Sequence, residues 1–220
     1  DLLPSLIENV RKGKITGLNI TLPYKKDIIS YIDEISHTAK DIGAINTVFF
    51  KRNKVYGENT DGVGFTRALE KEAKFNFSNK SIYVIGAGGA SYGIISELIK
   101  KKVRKIYVTN RTKQKTTELL SFFKSRNKDI NFEFIDWEGL APGSDVDLII
   151  NTTSFGMKEN ECLKIDTNNL KDILIFVDII YSPKETELLK LFKKEGFFCM
   201  NGLSMLIEQA AVSFELWFNI

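Results

Sequence analysis

"SIYVIGAGGAS", residues 81–91, decides how the rest of this 220-residue chain is to be read. A short apolar run from Ser81 to Ile85 stops at a cluster of glycines, as a strand buried on both faces does. Directly behind it, "ASYGIISELIKKKV" (90–103) carries Ile94, Ile95, Leu98 and Ile99 at helical spacing. Strand, glycine loop and helix therefore stand in the order in which backbone N–H groups at a helix N-terminus can hold a pyrophosphate. The loop comprises Gly86, Ala87, Gly88, Gly89, Ala90 and Ser91, with the small Ser91 where the third glycine of the usual spacing falls. A simple strand-to-helix turn is the plainer alternative.

Outward from this loop the same alternation continues. "KIYVTN" (105–110) predicts a strand, "KQKTTELLSFFKS" (113–125) a helix, and "NFEFI" (131–135) a further strand. "VDLIIN" (146–151) and "ILIFVDII" (173–180) predict buried strands, "TELLKLFKKEG" (186–196) a helix stopped by Gly196, and "FFCM" (197–200) a closing strand. Six short strands with helices between several of them predict an open, doubly wound α/β sheet of the Rossmann type.

The first 60 residues predict a second, smaller α/β unit. Strand-like "GLNIT" leads into one helix, "KDIISYIDEISHTAKDIG" (26–43), and "AINTVFFKRNKVYGEN" (44–59) predicts a hairpin turning near Asn53. At the other end, "SMLIEQAAVSFELWF" (204–218) predicts a long helix with a stripe at Leu206, Ala210, Phe214 and Trp217, able to pack back on either unit. The expected division is a catalytic, substrate-binding lobe over 1–62, rejoined by 203–220, and a nucleotide-binding domain over 63–202.

Composition narrows the function. The net charge is +3 and the lysines are scattered, which argues against a nucleic-acid surface. No run approaches the ~18 apolar residues of a membrane-spanning helix. One histidine and two unclustered cysteines, Cys162 and Cys199, leave no zinc ligand set, and the thiols are expected to be buried or incidental in a reducing cytosol. "DLLPSLIENV" lacks the basic and apolar regions of a signal peptide, and it lacks an initiator Met, so a missing or removed N-terminus is expected.

The end of the second strand refines the nucleotide. An NAD-binding fold usually presents Asp or Glu there to the ribose hydroxyls. This chain has "NRTKQK" (110–115) instead: Arg111 can stack on adenine or pair with a 2′-phosphate, while Asn110, Thr112 and Lys115 add hydrogen bonds or charge. That favours NADP over NAD, against the plain alternative of a solvated basic loop. A reduced nicotinamide delivers hydride, so the protein must supply a proton. His37, mid-helix among polar neighbours, is expected to be exposed and uninvolved. Lys25, just after Pro23, and Asp61, in "NTDGVGF" (59–65), are candidates for a charge-paired proton donor. Lys26 is equally basic, and an Asp in "TDG" is commonly a helix cap.

Taken together, "GLNITLPYK", "IGAINT", "GENTDGVGF", "GAGGAS", "NRT", "NTTSFGM", "VDIIYSPKET" and "NGLSMLIEQAAVSFELW" resemble, in order, the shikimate dehydrogenases. The resemblance runs from about residue 15 to the C-terminus, and its "N-I-T-x-P-x-K … N-T … N-T-D" series is highly specific. It implies NADPH-dependent reduction of 3-dehydroshikimate to shikimate, on the chorismate route to aromatic amino acids. It also implies Lys25 and Asp61 as the catalytic pair, choosing Lys25 over Lys26. Thr21, Asn46, Tyr181 and Gln209 match substrate-contacting positions, and Ile179 and Gly202 match positions beside the nicotinamide. A cytoplasmic monomer or homodimer with a small-molecule substrate is expected. The family also carries an N-terminal strand and helix whose Ser-x-Ser segment grips the substrate carboxylate. "DLLPS" is not that segment, so an exposed edge and half a substrate site are expected.

Rival expectations are a quinate/shikimate dehydrogenase with relaxed substrate or cofactor use, and a non-catalytic NADPH-binding module. A methylenetetrahydrofolate dehydrogenase-like enzyme is disfavoured by "LPYK" together with "NTD". Opening and closing of the cleft is expected to hinge on the helix after Asp61 and on the C-terminal helix.

Overall fold

In the computed structural model, which describes residues 2–220 apart from Leu22, Ala141, Glu159, Asn160, Cys162 and Ile173, the chain builds two sheets. The smaller follows helix α1 (Leu3–Arg11) and contains β1 (Gly17–Asn19), β2 (Glu34–Ile35), β3 (Thr47–Lys51) and β4 (Lys54–Glu58), with α2 (His37–Ile42) inserted after β2. Its order is β1-β3-β4-β2, so β1 is an edge. Arg52 and Asn53 both take positive φ in the two-residue turn of the β3–β4 hairpin, matching the twist of the strands they join. Leu3, Ile7 and Val10, one face of α1, bury with Ile28, Ile45, Val48 and Val55 as the core beneath this sheet.

The single helix expected over 26–43 is three elements: a 3-10 turn at Asp27–Tyr31, the strand β2, and the short helix α2. Two interactions override the helical spacing of the isoleucines. The Asp33 carboxylate accepts the Val55 N–H at 2.8 Å, and Glu34 and Ile35 pair in parallel with Tyr56 and Gly57. Ser36 then caps α2 by accepting the Ala39 N–H at 3.0 Å. His37 is thus the first residue of that helix rather than mid-helix, and it is exposed.

The larger sheet is all parallel: β5 (Ser81–Ile85), β6 (Lys105–Thr109), β7 (Asn131–Phe134), β8 (Leu148–Asn151), β9 (Ile175–Asp178) and β10 (Phe198–Met200). Its order is β10-β9-β8-β5-β6-β7, the doubly wound arrangement with its switch point between β5 and β8. Helices α4 (Gly89–Lys100), α5 (Lys113–Lys124) and α6 (Glu187–Lys194) make the crossovers from β5 to β6, β6 to β7 and β9 to β10. Alternation along β5 feeds two cores: Ile82 and Val84 pack with Ile94, Ile95 and Leu98, and Tyr83 and Ile85 pack with Ile149, Phe176 and Phe192.

Helices α3 (Asp61–Glu72) and α7 (Leu203–Phe218) join the two sheets. They pack along each other, α3 also lies on α4, and α7 reaches β1 and β3. Of the stripe read on α7, Trp217 packs back on the smaller sheet, its indole N–H donating to the Val48 carbonyl at 3.1 Å, while Leu206 and Phe214 are 40% and 49% exposed and Ala210 is also exposed. The buried face is Val212 and Ser213, with Gln209 beside them, because that side meets polar groups of the smaller sheet.

Candidate active site

Chain geometry carries Lys25 toward Asp61. Past β1 the backbone turns over Pro23–Lys26, and the Lys25 carbonyl is anchored by the Ile45 N–H at 2.8 Å. Asp61 opens α3, with its own N–H satisfied by Asn59 Oδ1 at 3.1 Å. Its side chain is therefore not spent on capping: Oδ2 accepts from Lys25 Nζ at 2.8 Å and Oδ1 from Asn46 Nδ2 at 2.8 Å. Both partners of the ion pair keep partial solvent access, 24% for Lys25 and 17% for Asp61.

Asn46 is fixed from behind. The Thr60 backbone N–H, which can only donate, points at Asn46 Oδ1 at 2.9 Å, so the amide NH2 must face Asp61. The hydroxyl of Thr47 also reaches Oδ1, at 2.9 Å, and is itself 2.7 Å from the Ser213 hydroxyl of α7. Asn19 donates to Ser213 Oγ at 3.0 Å, and Gln209 Oε1 lies 3.3 Å from Asn46 Nδ2. The buried Asn46, Thr47, Thr60 and Ser213 thus hold one another in a single arrangement beside the ion pair, with Asn19 and Gln209 at its solvent side.

A cavity of about 330 Å3 opens over this arrangement. Thr21, Lys25, Asn46, Asp61, Ile179, Tyr181, Gly202 and Gln209 all line it, so the structure brings together residues that the sequence spreads over most of its length. Tyr181 is 53% exposed at the rim, and the exposed Lys26 is not part of the lining. Asn19, Ile20, Met205 and Leu206 complete the wall without having been expected. Gly202 is required by close approach: a Cβ there would collide with the Ile179 carbonyl.

A second cavity, about 260 Å3, lies at the C-terminal ends of the large sheet, before the glycine loop. Gly86, Ala87, Gly88, Asn110, Arg111, Thr112 and Lys115 line it, as do Trp137, which had not been expected, and Thr152, Thr153, Ser154 and Phe155 of "NTTSFGM", to which no site role had been given. Small polar residues directly after a buried strand, "NTTS", were the available signal for the last group. Gly86 sits at φ +118°, a backbone open to glycine, and a Cβ there would strike the Thr152 hydroxyl. Gly89 begins α4, Ala90 follows it, and Ser91 is fully buried rather than in the lining. Ser91 Oγ accepts the Gly88 N–H at 3.2 Å and lies 2.7 Å from Thr152 Oγ1, fixing the loop against β8.

These residues fit a phosphorylated dinucleotide. The space before Gly88 and Gly89 is open, with nothing within 4 Å of a Cβ built on either, and α4 directs its N-terminus there. Two cations, Arg111 and Lys115, and no carboxylate belong to the described lining. Asn110 Oδ1 accepts the Ala87 N–H at 3.3 Å, and the Arg111 guanidinium lies 5.5 Å from the Phe155 ring centre, the ring that also packs on Trp137.

Cys199 is half-buried; burial pushes its thiol up to about 11, consistent with a chemically quiet group. Cys162 lies outside the described residues. Among the described residues, no group of His, Cys, Asp and Glu side chains is placed to hold a metal ion, and no helix is long and apolar enough to cross a membrane.

Comparison with known proteins agrees over the whole chain. Residues 1–48 match the family described as the shikimate dehydrogenase substrate binding domain, 68–187 the shikimate / quinate 5-dehydrogenase family, and 202–220 the shikimate 5′-dehydrogenase C-terminal domain. A shikimate dehydrogenase (NADP(+)) of Pelagibacter ubique is 41% identical over 218 residues, 99% of this chain and 78% of that protein. The structure of shikimate 5-dehydrogenase from Listeria monocytogenes with shikimate and NAD matches with a TM-score of 0.89 at 30% identity, over 100% of this chain and 78% of that one. Quinate dehydrogenase from Corynebacterium glutamicum, in complex with NAD, matches with a TM-score of 0.84 at 29% identity, over 99% and 78% of the two chains.

Proposed function

We infer the reaction from one premise: the chain belongs to the shikimate dehydrogenase family. It is an NADP-dependent oxidoreductase that interconverts 3-dehydroshikimate and shikimate, a step of aromatic amino-acid biosynthesis. The observation that carries its chemistry is the 2.8 Å Lys25–Asp61 ion pair in the wall of a polar cavity.

The reduced nicotinamide, when bound, supplies hydride to the substrate's carbonyl carbon. Lys25 gives a proton to the carbonyl oxygen and is left as the neutral amine, which solvent reprotonates. Asp61 holds Lys25 in reach and, through its position beside Asn46, orients the reacting hydroxyl in the reverse direction. Thr21, Asn46, Tyr181 and Gln209 meet the ring hydroxyls and carboxylate; an analogue lacking a hydroxyl leaves one of these groups unpaired and is rejected. The loop that Gly86 begins, braced from behind by Ser91, would hold the pyrophosphate, Ile179 and Gly202 would stand beside the nicotinamide, and Asn110, Arg111, Thr112 and Lys115 would take the 2′-phosphate end.

The lobes of this reading are 1–62 with 203–220 for substrate and 63–202 for NADP, in a cytoplasmic monomer or homodimer. The likeness to a quinate dehydrogenase favours a second reading in which quinate is also accepted. Initial rates with shikimate or quinate, each paired with NADP or NAD and followed at the reduced-nicotinamide absorbance band, test both. Turnover is expected with shikimate and NADP; none with any pairing overturns the reaction.

A further inference from the structure

Asp178 is a fully buried carboxylate at the end of β9, and its partners are all neutral donors. Oδ1 accepts the Ile180 N–H at 3.1 Å and Asn151 Nδ2 at 3.1 Å, while Oδ2 accepts the Thr186 hydroxyl at 2.7 Å. No lysine or arginine among the described residues bonds it. An ionised or neutral carboxyl buried this way gains less for the fold than a well-packed apolar side chain would, so its presence calls for another reason.

The three donors come from three segments. Asn151 ends β8 and is itself fixed, since its Oδ1 accepts the N–H and hydroxyl of Thr153 at 3.1 and 2.7 Å. That segment, Thr152 to Phe155, is a wall of the nucleotide cavity. Ile180 lies between Ile179 and Tyr181, which line the substrate cavity, and its carbonyl accepts the Gly202 N–H at 3.0 Å. Thr186 caps α6, accepting the Leu189 N–H at 3.3 Å. One side chain therefore ties a wall of each cavity to the same point, on neighbouring strands where Asn151 and Asp178 are in register.

We propose that Asp178 is a positioning residue for hydride transfer, holding the nucleotide wall at 151–156 and the substrate wall at 179–181 in one fixed relation. This rests on the reaction inferred above. A carboxylate accepts from all three donors at once; an amide must turn its NH2 either toward the Ile180 and Asn151 donors or toward Thr186, whose hydroxyl would then accept instead of donate, and either arrangement loosens the set. Hydride transfer falls off steeply when donor and acceptor separate, about a hundredfold for a displacement near 1 Å.

The test is Asp178→Asn in the full chain, which conserves volume. Expected are a fall in kcat of about tenfold or more, an NADP dissociation constant within about threefold of the parent, and a larger primary isotope effect with shikimate deuterated at the carbinol carbon. Hydrogen exchange is expected to quicken in 151–156 and 179–202 together. Unchanged kcat and isotope effect, nucleotide affinity falling in step with kcat, or loosening of only one segment overturns the proposal. If that variant does not fold, Thr186→Val and Thr186→Ser replace it: the valine lowers kcat and raises the isotope effect, and the serine restores both; equal behaviour of the two overturns the proposal. Absence of turnover in the parent protein defeats the reaction instead, and hydrogen exchange alone then judges Asp178.

Discussion

Gly64 in α3 lies so close to Gln209 in α7 that a Cβ on Gly64 would sit 2.5 Å from the Gln209 backbone nitrogen and 2.6 Å from its Cβ. Helix propensity alone would make Gly64→Ala stabilising by about 1 kcal/mol. Here the obstacle is backbone, which cannot swing aside, and overpacking costs about 1–3 kcal/mol. The clash wins: Gly64→Ala is expected to lower the denaturation midpoint and, by pushing Gln209 from the cavity, to raise KM for shikimate more than KM for NADP. A midpoint at or above that of the parent refutes the close-contact account.

Lys25→Ala removes the proposed proton donor and leaves the Asp61 carboxylate with Asn46 alone. The expected loss in kcat is on the order of 10²–10⁴, the usual worth of a positioned acid. NADP binding, measured by fluorescence titration, is expected to stay the same because Lys25 lines only the other cavity. Near-parental kcat removes Lys25 from its role.

Arg111→Ala is expected to discriminate between cofactors. Charged hydrogen bonds of the kind a guanidinium makes to phosphate are worth about 1.5–3 kcal/mol, or roughly ten- to a hundredfold in KM for NADP. KM for NAD, which lacks the 2′-phosphate, is expected to change by no more than about threefold. Equal losses with both nucleotides would mean that Arg111 serves adenine rather than phosphate.

The smaller sheet carries its own pH dependence. Asp33 is held below the ordinary carboxylate range by the Arg11 guanidinium, at 2.6 and 3.0 Å, and then by the Val55 N–H. The unfolded chain therefore binds the proton more readily, so this contribution is present above about pH 3.9 and is lost as pH falls through the lower, folded value. Asp33→Asn is expected to lose stability at pH 7 and to show a flatter decline into acid. Urea midpoints at pH 7, 4 and 3 measure it; parallel curves for the two proteins would contradict the linkage.

The large sheet was legible because its strands are buried on both faces, so apolar runs such as "SIYVI" and "LIIN" announce themselves. Residues 26–43 were not, since the spacing of Ile28, Ile29, Ile32 and Ile35 suits a helix, while the interactions that break it, Asp33 to Val55 and Ile35 to Gly57, are contacts distant in sequence. On α7 the apolar stripe caught only Trp217 of the face that meets the smaller sheet. That face also carries Gln209 and Ser213 because it meets Asn46, Thr47 and Thr60, and a helix that buries polar groups hides its orientation from any apolar pattern. Motif resemblance pointed to Lys25, Asp61 and the glycine loop; it assigned no role to Thr47, which bonds Asn46, or to Ser213, which bonds Thr47 and Asn19.

The separation of these partners along the chain differs between the two cavities. Ser91 and Thr152, which close the nucleotide loop, are 61 positions apart, whereas Asn46 meets Gln209 across 163 and Thr47 meets Ser213 across 166. By loop-closure entropy alone the longer closures cost about 0.9 kcal/mol more than the shorter one. The polar set around the substrate cavity therefore depends on nearly the whole chain being in place, whereas the loop before the nucleotide cavity is closed by contacts within the larger sheet's own unit.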